Sequence, residues 1–328
     1  MNYFEQTKTG ESRWWSWIVV TALTVFIWII FQKFLLIDLL PKTIELQKPD
    51  LFAKFNAVIS GNDESSLGDV LTKIMGLSPL AFALFLLTFP AGLIGLYLGQ
   101  KLFHKRSLTT LHTAAKKFRF VRVLQGFLLT WLVLAAFSLL GNLLGLIEIE
   151  YVFSGGRFWV FAAVSIIFIP FQAATEEIVF RGYFNQGLSH VFRSKWLAFA
   201  VTSLVFMAMH ASNPEAIEGS ASGTFPIVMS AYFFFGFAMC LVVWIDDGLE
   251  TAIGIHAGNN CFAAIIMNYE NSVLPTPSVF LTGSDPVKDS ISTVVVLGTL
   301  VAIIWWLRGG PKQNDPSMSN DKRSIADA

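Results

Sequence analysis

Residues 158–181 read FWVFAAVSIIFIPFQAATEEIVFR. Positions 158–175 pass without a charge, and then Glu176, Glu177 and Arg181 arrive together. An uncharged apolar stretch of about 18 residues or more is a candidate to cross a bilayer. Further apolar runs lie at 14–31, 79–98, 123–144, 196–210, 226–245, 251–267 and 291–307. With 158–175 they make eight, of which 196–210 and 251–267 are short.

The composition agrees. The 328-residue chain is 54% hydrophobic and only 14% charged, where a soluble domain carries about a quarter charged residues. Lipid is the expected solvent. The expected fold is an all-α, polytopic membrane helix bundle of about eight transmembrane helices, one per run. Formal net charge is zero, so no basic field marks nucleic acid as a partner. Cys240 and Cys261 both sit in apolar stretches, which gives neither a disulfide framework nor a CxxC site. The run at 14–31 follows Lys8 and Arg13. It is too long for a signal-peptide core and no small-x-small site follows, so it reads as a retained signal anchor. Trp14, Trp15 and Trp17, with Trp305 and Trp306, suit anchoring at the bilayer interface.

Eight spans place both termini on one side, and positive charge decides which. The N-terminus, the 101–122 and 176–195 segments and the C-terminal tail together hold 16 of the 23 Lys and Arg. That bias predicts N-in and C-in. Between Lys101 and Arg122, basic residues are mixed with Leu108, Leu111, Phe118 and Phe120, which predicts an amphipathic stretch lying on the anionic inner leaflet. The domain reading follows. Residues 1–119 hold two transmembrane helices, an extracytoplasmic loop and this basic connector. A core spans 120–268, a second loop and the last helix span 269–308, and the polar tail 309–328 reads as disordered. The absence of a long targeting extension, with the positive-inside pattern, points to a bacterial inner membrane.

Ionisable groups in spanning segments cost several kcal/mol and usually mark function. The short list is Glu176, Glu177, Arg181, His210 and His256, with the amides Asn259 and Asn260. His104, His112 and His190 fall in polar connecting segments and read as surface histidines. Glu177 and Arg181 stand four apart in the favourable order for a helical ion pair. Glu176 is rotated about 100° away on the same helix. Lacking a cation in an apolar setting, it has the character of a general base near neutral pH. Phe206 with His210, and His256 with Asn260, are also four apart, so each pair shares a helix face. His256 and Asn260 can aim two hydrogen-bonding groups at one point, as an oxyanion requires. Polar contact between helices is the plainer reading of the same residues.

Depth makes a demand. If the helix carrying Glu176 stops at Thr175, that acid lies at the inner surface and His210 near the outer one. If it runs on through Tyr183 to about Leu188, Glu176, His210 and His256 come level below a cytoplasmic mouth. The Glu177–Arg181 pairing favours the long helix, and Pro170 supplies a place for it to bend.

EExxxR as Glu176-Glu177-x-x-x-Arg181, FxxxH as Phe206-x-x-x-His210 and HxxxN as His256-x-x-x-Asn260 follow in order, each in an apolar segment. Together they resemble the CPBP family of CAAX-processing and bacteriocin-processing intramembrane proteases, also called the type II CAAX prenyl endopeptidase or Abi family. Pro170 and the run Phe180-Arg181-Gly182 are similar to that family's first motif. The resemblance covers roughly 120–268. It implies a helix bundle around a cavity open to the cytosol. It also implies hydrolysis of a peptide bond near the cytoplasmic side of the lipid bilayer, in a peptide or membrane-protein substrate. Carried over, Glu176 with His210 activates water, His256 and Asn260 stabilise the oxyanion, and Glu177 and Arg181 brace the site. No cofactor is expected. A divalent metal such as zinc on Glu176, His210 and His256 is the open alternative, though no HExxH is present. Two other readings stay open. One is a non-proteolytic membrane scaffold or immunity protein using the polar groups as packing contacts. The other is a proton-coupled transporter, for which no paired interrupted helices are visible.

Overall fold

The computed structural model describes residues 2–270 and 272–311. Most of the predicted tail therefore lies outside the described residues. After a 3-10 turn at Tyr3–Thr9, α1 (Trp14–Gln32) continues as a π-helical stretch, Lys33–Leu39. Two short helices, α2 (Pro49–Ile59) and α3 (Leu67–Leu77), fill the loop before α4 (Pro79–Leu102). Ser78 caps α4 by accepting from the Ala81 amide, with Pro79 in the first turn, where its missing N–H costs nothing. A single turn, α5 (Thr109–His112), precedes α6 (Phe120–Leu143). The sequence quoted above forms α7 (Gly156–Glu177), which runs on through π-helical Ile178–Phe184 into α8 (Asn185–Phe192). This gives 37 continuous helical residues, so the long helix that the Glu177–Arg181 spacing demands is present. Then come α9 (Lys195–Met209), α10 (Pro214–Ser222), α11 (Phe225–Asp246), α12 (Glu250–Cys261) and α13 (Pro286–Arg308). Between Gly145 and Asp285, strands β1 (Ile149–Tyr151), β2 (Met267–Tyr269) and β3 (Phe280–Thr282) form a small sheet in the order β1-β3-β2.

The protein is an integral membrane protein and a polytopic helical bundle. Among the described residues, six helices are long and apolar enough to cross a membrane, or seven if α9 and α10, bent by 86°, count as one broken span. Its apolar surface faces outward as lipid requires. On α6, Leu124, Leu128 and Leu132 are 57%, 55% and 69% exposed, whereas Gly126, Thr130 and Val133 are buried.

The short run at 251–267 takes a different form from a lipid-facing span. Its α-helix, α12, has only 12 residues, continues as a π-helical stretch at Phe262–Ile266, and is buried from Glu250 through Gly258. Small residues make this possible. A Cβ on Gly254 would run into the Val123 carbonyl on α6, and Gly126 of α6 lies equally close against Thr251. Helices in lipid associate through such close backbone approach. Gly254→Leu should therefore lower stability in detergent by about 3 kcal/mol, the upper end for overpacking. Gly298→Ala, where an added Cβ meets nothing within 4 Å, should leave the melting temperature unchanged. Thermal unfolding followed by size-exclusion chromatography checks both.

The first and last described elements meet at one end of the bundle. The Tyr3 amide donates to Asp247 Oδ1 at 2.7 Å, and Arg308 Nε donates to Asp246 Oδ1 at 2.8 Å. The basic connector joins them through two of its arginines. Arg119 pairs with Glu250 at 2.5 Å and Arg122 pairs with Asp246. Two buried acids flanking the α11–α12 turn, Asp246 and Glu250, draw these guanidinium groups inward, since a buried carboxylate needs a partner. Of the three predicted surface histidines, His104 is buried here and His112 half-buried. His104 is fully enclosed between the Glu11 carbonyl and the Tyr183 hydroxyl, and His112 bonds Tyr97. His190 is exposed as expected, and Cys240 and Cys261 are free and buried.

Candidate active site

The α7–α8 rod sets the site's geometry. Glu177 and Arg181 are both fully buried, with Oε1 and Nη1 3.2 Å apart. The same Glu177 oxygen meets His256 Nδ1 at 2.8 Å. A carboxylate held by a guanidinium only accepts, so Nδ1 carries the proton and Nε2 points away from Glu177. It points toward Glu176, whose Oε2 lies 3.8 Å from Nε2. The two adjacent acids thus flank one imidazole, Glu177 behind it and Glu176 before it. Glu177 does more than pair with Arg181, because it fixes the tautomer and tilt of His256.

Phe206 supports this arrangement from α9. Its ring lies 4.3 Å beneath the Arg181 guanidinium, a cation–π contact made strong by burial. Four residues on, His210 ends α9. The helix breaks here, freeing the Phe206 carbonyl, and His210 Nδ1 donates to it at 2.8 Å. That leaves Nε2 of the neutral ring as an acceptor. Tyr232 stacks on the imidazole at 4.5 Å and 28°. The Tyr232 hydroxyl accepts from Asn213 at 2.9 Å and donates to Glu215.

From α12, Asn260 Nδ2 donates to Gln172 Oε1 at 3.2 Å. Gln172 Nε2 in turn donates to Glu176 Oε1 at 2.6 Å. Gln172, Glu176, His210, His256 and Asn260 all line one cavity of about 1320 Å³ between the helices. Glu177 and Arg181 stand behind its wall. The structure therefore brings Glu176, Glu177, Arg181 and His256 into direct contact and ties Asn260 to them through Gln172. His210 shares the cavity, but among the described residues its polar bond is to Phe206 and not to Glu176.

Sequence reading overlooked Gln172, Tyr232 and Glu215. Gln172 was within reach, for it stands four residues before Glu176 just as Glu177 stands four before Arg181. Tyr232 and Glu215 carry no such signal, because the turn after His210 brings them in.

The metal alternative meets a poor donor set. Among the described residues no three His, Cys, Asp or Glu side chains are placed to hold an ion. His210 bonds the Phe206 carbonyl and stacks on Tyr232 rather than joining Glu176 and His256.

The segment that carries these residues is similar to known proteins. Residues 156–262 match the family model "Type II CAAX prenyl endopeptidase Rce1-like", a family of membrane-embedded proteases. The uncharacterized protein YyaK of Bacillus subtilis (strain 168) is 25% identical over 260 residues, covering 77% of this chain and 83% of that protein. No solved structure matches the chain. The match runs from the start of α7 to the end of α12, so the segment that encloses the paired acids and both cavity histidines is the one similar to the Rce1-like type II CAAX prenyl endopeptidases.

Proposed function

We propose that the protein is an intramembrane endopeptidase that hydrolyses a peptide bond near the cytoplasmic side of the membrane. One observation carries this reading. A fully buried Arg181–Glu177–His256 chain ends against a second carboxylate, Glu176, in the wall of a large cavity. Helix packing alone gives no reason to set two adjacent acids on either side of one imidazole. A water in the cavity gives its proton to Glu176 Oε2 as its oxygen bonds the scissile carbonyl carbon. His210 Nε2, a lone-pair acceptor, orients the second O–H of that water. The carbonyl π pair moves onto oxygen, where it is received by an Asn260 N–H and by His256 acting as an imidazolium, its Nδ1–H held by Glu177 and a second proton on Nε2. When the tetrahedral centre collapses, the C–N bond breaks and Glu176 returns its proton to the leaving amine.

The test needs no known substrate. Purified protein in liposomes is incubated with a proteome-derived peptide library, and new termini are identified by mass spectrometry. Wild type should generate termini that Glu176→Gln does not. Equal cleavage by the two, or none by wild type, would sink the reading.

Both described chain ends lie at the acidic α11–α12 turn, and this supports N-in and C-in for a positive-inside chain. Reporter fusions at the two termini should both register as cytoplasmic. One cytoplasmic and one external signal would overturn that orientation.

A further inference from the structure

We propose that Asn259, Asn260 and Gln172 form a one-way chain of amides that ends on Glu176, with Gln172 as the positioning residue for both halves of the site. The proposal rests on the protease reading above and deepens it. Three hydrogen bonds run head to tail. Asn259 Nδ2 donates to Asn260 Oδ1 at 3.1 Å, Asn260 Nδ2 to Gln172 Oε1 at 3.2 Å, and Gln172 Nε2 to Glu176 Oε1 at 2.6 Å.

The acceptor at the end fixes the direction. A carboxylate offers no proton, so the amide beside it must present its NH2 group. That turns the Gln172 carbonyl toward Asn260, which must present its own NH2 group, leaving Asn260 Oδ1 to accept from Asn259. Each donation polarises the next, and the effect grows where water is scarce. Gln172 is 7% exposed.

The chain acts at both ends. At Glu176 it occupies Oε1 and leaves Oε2, which is buried and without a hydrogen-bond partner among the described residues, as the oxygen still free to take a proton. At Asn260, donation into Oδ1 makes the remaining Nδ2–H a better donor for an oxyanion. Gln172 is the only member on α7, so it also locks the base on α7 to the oxyanion donor on α12. The feature joins residues from two motifs through one that belongs to neither.

Kinetics on the library peptide that wild type cleaves best will decide this. Gln172→Met keeps the side-chain length and removes both hydrogen bonds. It should lower kcat about tenfold, the scale of one lost bond to a charged group, with KM within twofold. Asn259→Leu, whose parent amide touches Asn260 and not Glu176, should lower kcat about threefold by removing the head of the chain. A residue that merely supports packing would move the folded fraction and not kcat measured on folded protein. Should Gln172→Met not fold, Gln172→Glu keeps shape and polarity, sets a carboxylate against Glu176, and should also cut kcat. Wild-type kcat in the folded position-172 variant overturns the proposal and leaves the protease reading standing, and so does an Asn259→Leu protein with wild-type kcat. If wild type cleaves nothing in the library, the protease reading itself has failed.

Discussion

Arg181→Met should destabilise the protein by about 3–5 kcal/mol, the loss expected when one partner of a buried ion pair is removed. Arg181 is the largest fully buried side chain of the bundle, and Glu177 beside it is equally enclosed. Without the guanidinium, the Glu177 carboxylate sits in an apolar interior with His256 as its one remaining partner. Phe206 loses its cation as well. Denaturant or thermal unfolding in detergent measures the effect. The double variant Arg181→Met/Glu177→Gln should recover part of the loss, since it removes the orphaned charge along with its partner. It should not recover activity, because an amide at position 177 both donates and accepts, and so no longer dictates which His256 nitrogen carries the proton. A double variant no more stable than the single one would show that the pair is not the main source of the loss.

Glu176→Gln should have the opposite profile, with peptide cleavage down by about 10³-fold, within the range for a lost general base, and a melting temperature close to wild type. The substitution keeps the side chain's shape, and the carbonyl of the new amide still accepts from Gln172. What it loses is a group able to take a proton from water. The Glu176 side chain is 13% exposed at the cavity wall, against 0% for Glu177, so neutralising it strands no buried cation. Cleavage rate and unfolding temperature, measured on one preparation, separate the two acids. If Glu176→Gln unfolds the protein as Arg181→Met does, both acids are packing elements.

The division of labour between those acids was partly legible in the sequence. Helical spacing alone joined Glu177 to Arg181, and from that pair followed the extension of α7 past Thr175. These are local relations, set by 3.6 residues per turn. His256 approaching from 79 residues away was not legible as Glu177's partner. Periodicity shows which residues share a helix, and only packing shows which helices meet. The same limit explains the basic connector. The charges from Lys101 to Arg122 look unpartnered in sequence, and only packing brings Asp246 and Glu250 to Arg122 and Arg119. The 251–267 run was counted as a span on hydropathy, which does not show that glycines at 126, 254 and 258 draw it in against α6. The break after His210 carries Tyr232 and Glu215 to the site, and no short-range pattern announces them.

The acidic turn between α11 and α12 also sets an order of events during synthesis. Arg119 and Arg122 precede their carboxylates by 131 and 124 residues, and Tyr3 precedes Asp247 by 244. At 5–20 residues per second, the two arginines emerge about six seconds or more before Asp246 and Glu250 exist. In that interval they are solvated cations beside the first two helices, free to act as topological signals. Only when α11 is complete are they withdrawn into ion pairs, and Arg308 on the last helix closes over the same carboxylate. The bundle end is thus a late-closing latch, and a chain truncated before residue 246 would keep its early helices with their charges still seeking water.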